Sequence, residues 1–157
     1  MVKMYSALLR KIFLFFVFIL SFLSLSLAKT EKNFVEHEHV SLKLISSVES
    51  ISNINNLNLG LYFKLDQGWK IYWKYPGKAG YPPKIDWSNS RNIKNLEILW
   101  PKPEKFEILG MHSTGYSDEV ILPIKLLLEE SNKELVANFN IDYLTCKKIC
   151  VPYSDNL

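Results

Sequence analysis

The chain has 157 residues, 48% of them apolar and 22% charged, with 19 Lys and Arg against 16 Asp and Glu. That apolar content excludes a disordered tail or a collagen-like repeat, and two cysteines are too few for a disulfide-dense miniprotein. A net charge of +3 suggests a nucleic-acid binder only if the excess is spread over the fold, so its location decides.

The excess sits at the start. Residues 1–28 hold Lys3, Arg10 and Lys11 and no acid, and Ile12 to Leu27 is an apolar run closed by the small-x-small site Ser26-Leu27-Ala28. A basic start, an apolar stretch and small residues at its end read as a secretory signal peptide. The run is 16 residues long, short for a span of roughly 20, which favours cleavage after Ala28 over an uncleaved anchor. Residues 29–157 then carry 16 basic and 16 acidic side chains, and no basic footprint for nucleic acid survives.

Beyond residue 28 the apolar pattern has period two and shows no amphipathic helix. Val40, Leu42 and Leu44 begin it. Leu57 to Leu65 alternates over five apolar positions, and Asp66-Gln67-Gly68 then reads as a hairpin turn. Trp69, Ile71 and Trp73 form the next strand, and Leu96, Ile98 and Trp100 a shorter one. Val120 to Leu128 is nearly continuous, with Pro123 marking a bulge or an edge position. Leu135 to Tyr143 alternates again. Two stretches, Tyr75 to Ser90 and Pro101 to Asp118, are rich in Pro and Gly and read as long loops. Strands of this length and spacing predict an all-β antiparallel sandwich or barrel. The chain stops at Leu157, where a further strand is expected to complete the sheet, so a longer parent sequence is one expectation.

The cysteines, Cys146 and Cys150, enclose Lys147-Lys148-Ile149. In an extended strand their Cα atoms would stand roughly 13 Å apart, too far for a bond; a turn brings them to roughly 6–7 Å, where one forms. A loop of about five residues yields only about 2 kcal/mol in the chain-entropy model, so the bridge is a weak staple. Lys147 and Lys148 beside the thiols favour the thiolate, the nucleophile of exchange. Spacing alone leaves a redox-active pair and a structural disulfide both open. Zinc is disfavoured, because two thiolates with no nearby His fill half a tetrahedron.

Four blocks narrow the choice: Gly68-Trp69-Lys70-Ile71-Tyr72-Trp73 running to Pro76-Gly77 and Gly80; Pro82-Pro83-Lys84-Ile85-Asp86-Trp87; Trp100-Pro101-Lys102-Pro103 running to Gly115-Tyr116 and Leu122-Pro123; and Tyr143 to Pro152 around the cysteines. In this order they resemble the periplasmic N-terminal domain of DsbD-type protein-disulfide reductases, including the copper-tolerance branch. The resemblance implies an immunoglobulin-like antiparallel β-sandwich over residues 29–157, in the periplasm of a Gram-negative bacterium. It implies an oxidoreductase component without a bound cofactor, working by thiol–disulfide exchange through mixed disulfides. Its partners would be a membrane-embedded thiol reductase, as electron donor, and periplasmic disulfide isomerases or thioredoxin-like proteins of cytochrome c maturation, as acceptors. Aromatic residues of a cap loop would cover the cysteines until a partner displaces them.

By the same resemblance Cys146 and Cys150 are the catalytic pair, with Cys150 as the attacking sulfur, and Tyr116 matches the aromatic part of the cap. Tyr72 is a candidate to flank the pair, with Lys147 and Lys148 in support. Asp118 and Glu119 follow the cap and are candidates to tune the thiols, although a solvated surface is the plainer account. The spacing here is C-x₃-C where other branches space the pair more widely, and the membrane and thioredoxin-like domains of the full proteins do not appear. Trp69, Trp73, Trp87 and Trp100 read as core and loop packing. His37 and His39, two apart, would share one face of a strand, and with Met111-His112 they raise a copper-handling alternative. Solvated histidines are the plainer account. A non-catalytic immunoglobulin-like binding module is the remaining alternative.

Overall fold

The computed structural model describes residues 34–46, 48 and 53–157; the leader read in residues 1–28 lies outside them. Among the described residues there are strands and no helix, and no helix is long and apolar enough to cross a membrane. The strands are β1 (Val35–Glu36), β2 (Val40–Ser46), β3 (Asn56–Leu65), β4 (Lys70–Gly77), β5 (Lys84–Asp86), β6 (Ile93–Ile98), β7 (Glu104–Ile108), β8 (Met111–Ser117), β9 (Glu119–Leu128), β10 (Asn140–Cys146) and β11 (Cys150–Asn156).

They form the expected immunoglobulin-like sandwich of two antiparallel sheets. One runs β1-β2-β3-β9-β6, the other β11-β10-β4-β8-β7 with β5 paired to the start of β10. Alternation drives this. In β9 buried positions recur at every second residue, and Val120, Leu122, Ile124 and Leu126 enter the core with Leu57 to Phe63 of β3. Ile71, Tyr116, Ile141 and Tyr143 come down from the second sheet onto the same core. The four tryptophans pack there too, Trp69 within it and Trp73, Trp87 and Trp100 against its margin. Pro123 is tolerated in β9 because β6 stops at Ile98, opposite Ile124, and the one bond beyond it, from Leu99 N–H to the Pro123 carbonyl, needs no N–H from the proline.

Two expectations need correction. Pro101 to Asp118 is not a loop: β7 and β8 fill most of it as a hairpin, in register from Glu104↔Gly115 to Ile108↔Met111. The turn residues Leu109 and Gly110 both have positive φ, 53° and 76°, the backbone of a two-residue type I′ connection. Alternation is invisible here because Phe106 of β7 faces Ser113 of β8, so only one strand of the pair carries bulk. The other correction concerns Leu135 to Tyr143. The β10 strand begins only at Asn140; before it the segment is tied to Arg91 at Val136, to Ser90 at Asn138 and to Leu157 at Phe139 rather than by a continuous ladder.

Candidate active site

The chain that leaves the core after Thr145 and Cys146 reaches the surface at Lys147 and returns at Cys150. The two cysteines are the last cross-strand pair of the β10–β11 hairpin, and Lys147-Lys148-Ile149 is its loop. The hairpin thus replaces the turn after Leu144 expected from spacing: Cys146 is still in the strand. Direct opposition brings the Cα atoms to 4.1 Å, and the sulfurs are bonded at 2.03 Å. Cys146 is fully buried, while Cys150 is partly exposed. Of the two residues, Cys150 is the one with surface open to solvent.

A second, smaller apolar cluster surrounds the bond on the outer face of its sheet. Tyr72, Ile108, Leu144 and Cys146 are its buried members, and Tyr81, Phe106 and Cys150 pack against them. The register explains the gathering. Cys146 opposes Lys70 of β4, Tyr72 lies two residues along on the same face, and Tyr72 opposes Gly115 of β8, which opposes Glu104 of β7. Gly115 is required there, because a Cβ would stand 2.0 Å from the Ile71 carbonyl oxygen. That absence of a side chain lets Tyr72 and Phe106 meet across β8, their ring centres 6.0 Å apart. Gly80, at φ +76°, lies against the Tyr72 ring, where a Cβ would come within 2.2 Å. The Tyr72 hydroxyl is buried without a hydrogen-bond partner, and burial raises its pKa.

Tyr72 is therefore brought to the cysteines and Tyr116 is not. Tyr116 opposes Ile71, so it points to the opposite face of the sheet, into the main core, and its hydroxyl donates to the Pro101 carbonyl at 2.9 Å. The further aromatic residues packed against the cluster that holds Cys146 are Phe106 and Tyr81, both missed by sequence reasoning. Strand parity was the available signal: a strand that buries Ile71 must turn Lys70 and Tyr72 outward together. Lys147 does not lie free beside the sulfurs. Its ammonium donates to the Gln67 carbonyl at 2.9 Å, across the turn between β3 and β4. Lys148 is exposed in the hairpin loop.

Charge reaches the site from β4 and β7 instead. Lys70 Nζ donates to Glu104 Oε1 at 3.3 Å, and the Ser117 hydroxyl donates to the same oxygen. The hydroxyl first, and the ammonium with it, hold the Glu104 carboxyl below the usual glutamate range. Asp118 lies at the corner between β8 and β9, and the Glu119 carboxylate of β9 accepts from Tyr62 of the neighbouring β3 at 2.6 Å.

The histidines do not share a strand face. Both lie in the connection between β1 and β2, with separate partners. His37 Nε2 is 2.9 and 3.0 Å from the two Asp155 oxygens, and Tyr143 donates to the same carboxylate at 2.8 Å. His39 stacks on Trp69 at 3.8 Å. Among the described residues no three His, Cys, Asp or Glu side chains are placed to hold a metal ion.

Comparison with known proteins bears on this arrangement. Residues 43–157 match the family model of the N-terminal region of the thiol:disulfide interchange protein DsbD. No curated protein sequence matches. Among solved structures, the N-terminal periplasmic domain of ScsB from Proteus mirabilis superposes with a TM-score of 0.62 at 28% identity, over 79% of this chain and 49% of that one. The chain thus spans about half the length of that relative. The reduced form of the Neisseria meningitidis DsbD N-terminal domain gives a TM-score of 0.42 at 12% identity, over 83% of this chain and 87% of that one.

Proposed function

The chain belongs to the family of DsbD N-terminal domains, and from that premise we propose that it passes reducing equivalents through the Cys146–Cys150 couple, as a component of a protein-disulfide reductase. The observation that carries this reading is the asymmetry of the bond: a partly exposed Cys150 and a fully buried Cys146 under a removable apolar cover. Cys150 is the sulfur that exchanges with partners, and Cys146 is the one that leaves and resolves. Phe106 and Tyr81 shield the bond until a docking partner displaces them.

The donor in this scheme is a membrane-embedded thiol reductase. The acceptors are thioredoxin-like or disulfide isomerase proteins of the periplasm, where such a domain would work after secretion. Ile149, 61% exposed in the loop between the cysteines, offers apolar contact beside the bond.

A redox titration of the purified protein against glutathione tests the reading. A potential within the range of exchange proteins, roughly −120 to −270 mV, is expected; one below about −300 mV marks a structural bridge and rejects it. The roles of the sulfurs are checked by trapping. Cys146→Ser should accumulate a mixed disulfide with a thioredoxin-like substrate through Cys150, and Cys150→Ser should not.

A further inference from the structure

Lys70 is the Cα partner of Cys146, so the two side chains leave the same face of the sheet in direct opposition. Opposed residues hold their Cβ atoms about 4.5–5.5 Å apart. On its other side Lys70 opposes Ser117 of β8, which makes one row of Cys146, Lys70 and Ser117. The Lys70 ammonium is engaged entirely with the cover: 3.3 Å from Glu104 Oε1 and 5.7 Å from the centre of the Phe106 ring. Both partners sit on β7, an edge strand paired only to β8. From this row Lys70 and Ser117 both reach Glu104 of β7, and Lys70 is the charged one, beside the buried sulfur.

We propose that Lys70 is a positioning residue for the exchange reaction, holding β7 closed while the disulfide is intact and turning its charge to Cys146 as the bond breaks. This rests on the exchange reading above. In that reaction a partner thiolate attacks Cys150 Sγ. A new S–S bond joins the partner to Cys150, the Cys146–Cys150 bond breaks, and its electron pair leaves on Cys146. The partner's second thiol, its proton released to water, then attacks the mixed disulfide. The partner departs as a disulfide and the domain keeps two reduced sulfurs.

The first negative charge on the domain therefore appears directly opposite Lys70. A cation beside a thiol favours the thiolate, and a leaving group of lower pKa departs faster. While β7 is in place, Glu104 neutralises that cation. A partner that displaces β7 removes Glu104 and Phe106 together and leaves the ammonium to the nascent thiolate. The latch itself is weak, because the ion pair is partly exposed and screened by solvent.

The test uses three variants of the purified protein and the second-order rate of reduction by dithiothreitol at neutral pH. Lys70→Met is expected to be slower by about three- to tenfold, because the leaving sulfur loses its counter-charge. Lys70→Arg is expected to stay near wild type. Glu104→Gln, which breaks the latch and spares the ammonium, is expected to be as fast as wild type or faster. If the ion pair were only structural, losing either partner would loosen the cover and speed reduction in both cases. Lys70→Met at or above the wild-type rate, Lys70→Arg slowed as much as Lys70→Met, or Glu104→Gln slowed alongside it would each overturn the assignment. The equilibrium of the wild type with glutathione, read in parallel, keeps the two questions apart. A wild-type bond as resistant as a structural bridge overturns the exchange reading. A labile bond with Lys70 variants that react like wild type overturns only the role of Lys70.

Discussion

Each tyrosine near the core of the second sheet is held neutral by its surroundings. Burial pushes the Tyr116 hydroxyl up to about 12. Tyr143 is raised by burial and by the Asp155 carboxylate that its hydroxyl bonds. A raised folded-state pKa favours the proton-bound form, so this contribution to stability is complete below pH 10 and is lost as pH climbs through the folded value. Absorbance titration at 295 nm should show these two tyrosines ionising late in the native protein, and at the free value of about 10 in denaturant. Equal native and denatured profiles would contradict their placement.

Legibility at this scale was uneven. Cys146, Cys150 and Tyr72 stand out by type and by strand parity. Lys70 and Phe106 do not, because their closeness to the sulfurs is created by pairing between strands far apart in sequence. The lysines adjacent to the cysteines drew the eye instead, and one of them is spent on a turn carbonyl.

Four pieces of chain build the cluster around the disulfide: the β10–β11 hairpin carries the bond, β4 supplies Tyr72, the β4–β5 connection supplies Tyr81, and the β7–β8 hairpin supplies Ile108 and Phe106. The cover hairpin was the least legible element. Ser113 and Gly115 give its second strand no apolar alternation, yet those small residues leave the space in which Phe106 and Tyr72 meet. Phe106→Ala opens that cover without touching the sulfurs. It should raise the rate of alkylation or reduction at Cys150 several-fold and leave the fold intact by circular dichroism; an unchanged rate would show that the ring does not limit access.

The sandwich as a whole rests on the core shared by the two sheets rather than on the bond. Leu122, fully buried there, should cost about 2–5 kcal/mol on change to alanine. Reducing the disulfide releases a loop of only about five residues, worth about 2 kcal/mol. Urea unfolding of the oxidised protein, the reduced protein and Leu122→Ala should rank them in that order, with the reduced form still folded. Both redox forms can then present the same surface to successive partners. The fold class was readable from alternation because most strands bury one face, whereas the pairing order is set by packing that no local pattern encodes.

The placement of the cysteines has a consequence for sequence drift. Because they face each other across a ladder, the residues between them only close a loop. Insertions there would lengthen the connection without altering which sulfurs meet. An insertion of one residue in β4 would be far more damaging, since it would exchange the core-facing and site-facing side chains along the rest of that strand. A wider separation of the cysteines is therefore compatible with the same bond in the same place, and the interval between the thiols is a weak constraint. The parity of the strand that carries Lys70 and Tyr72 is a stronger one.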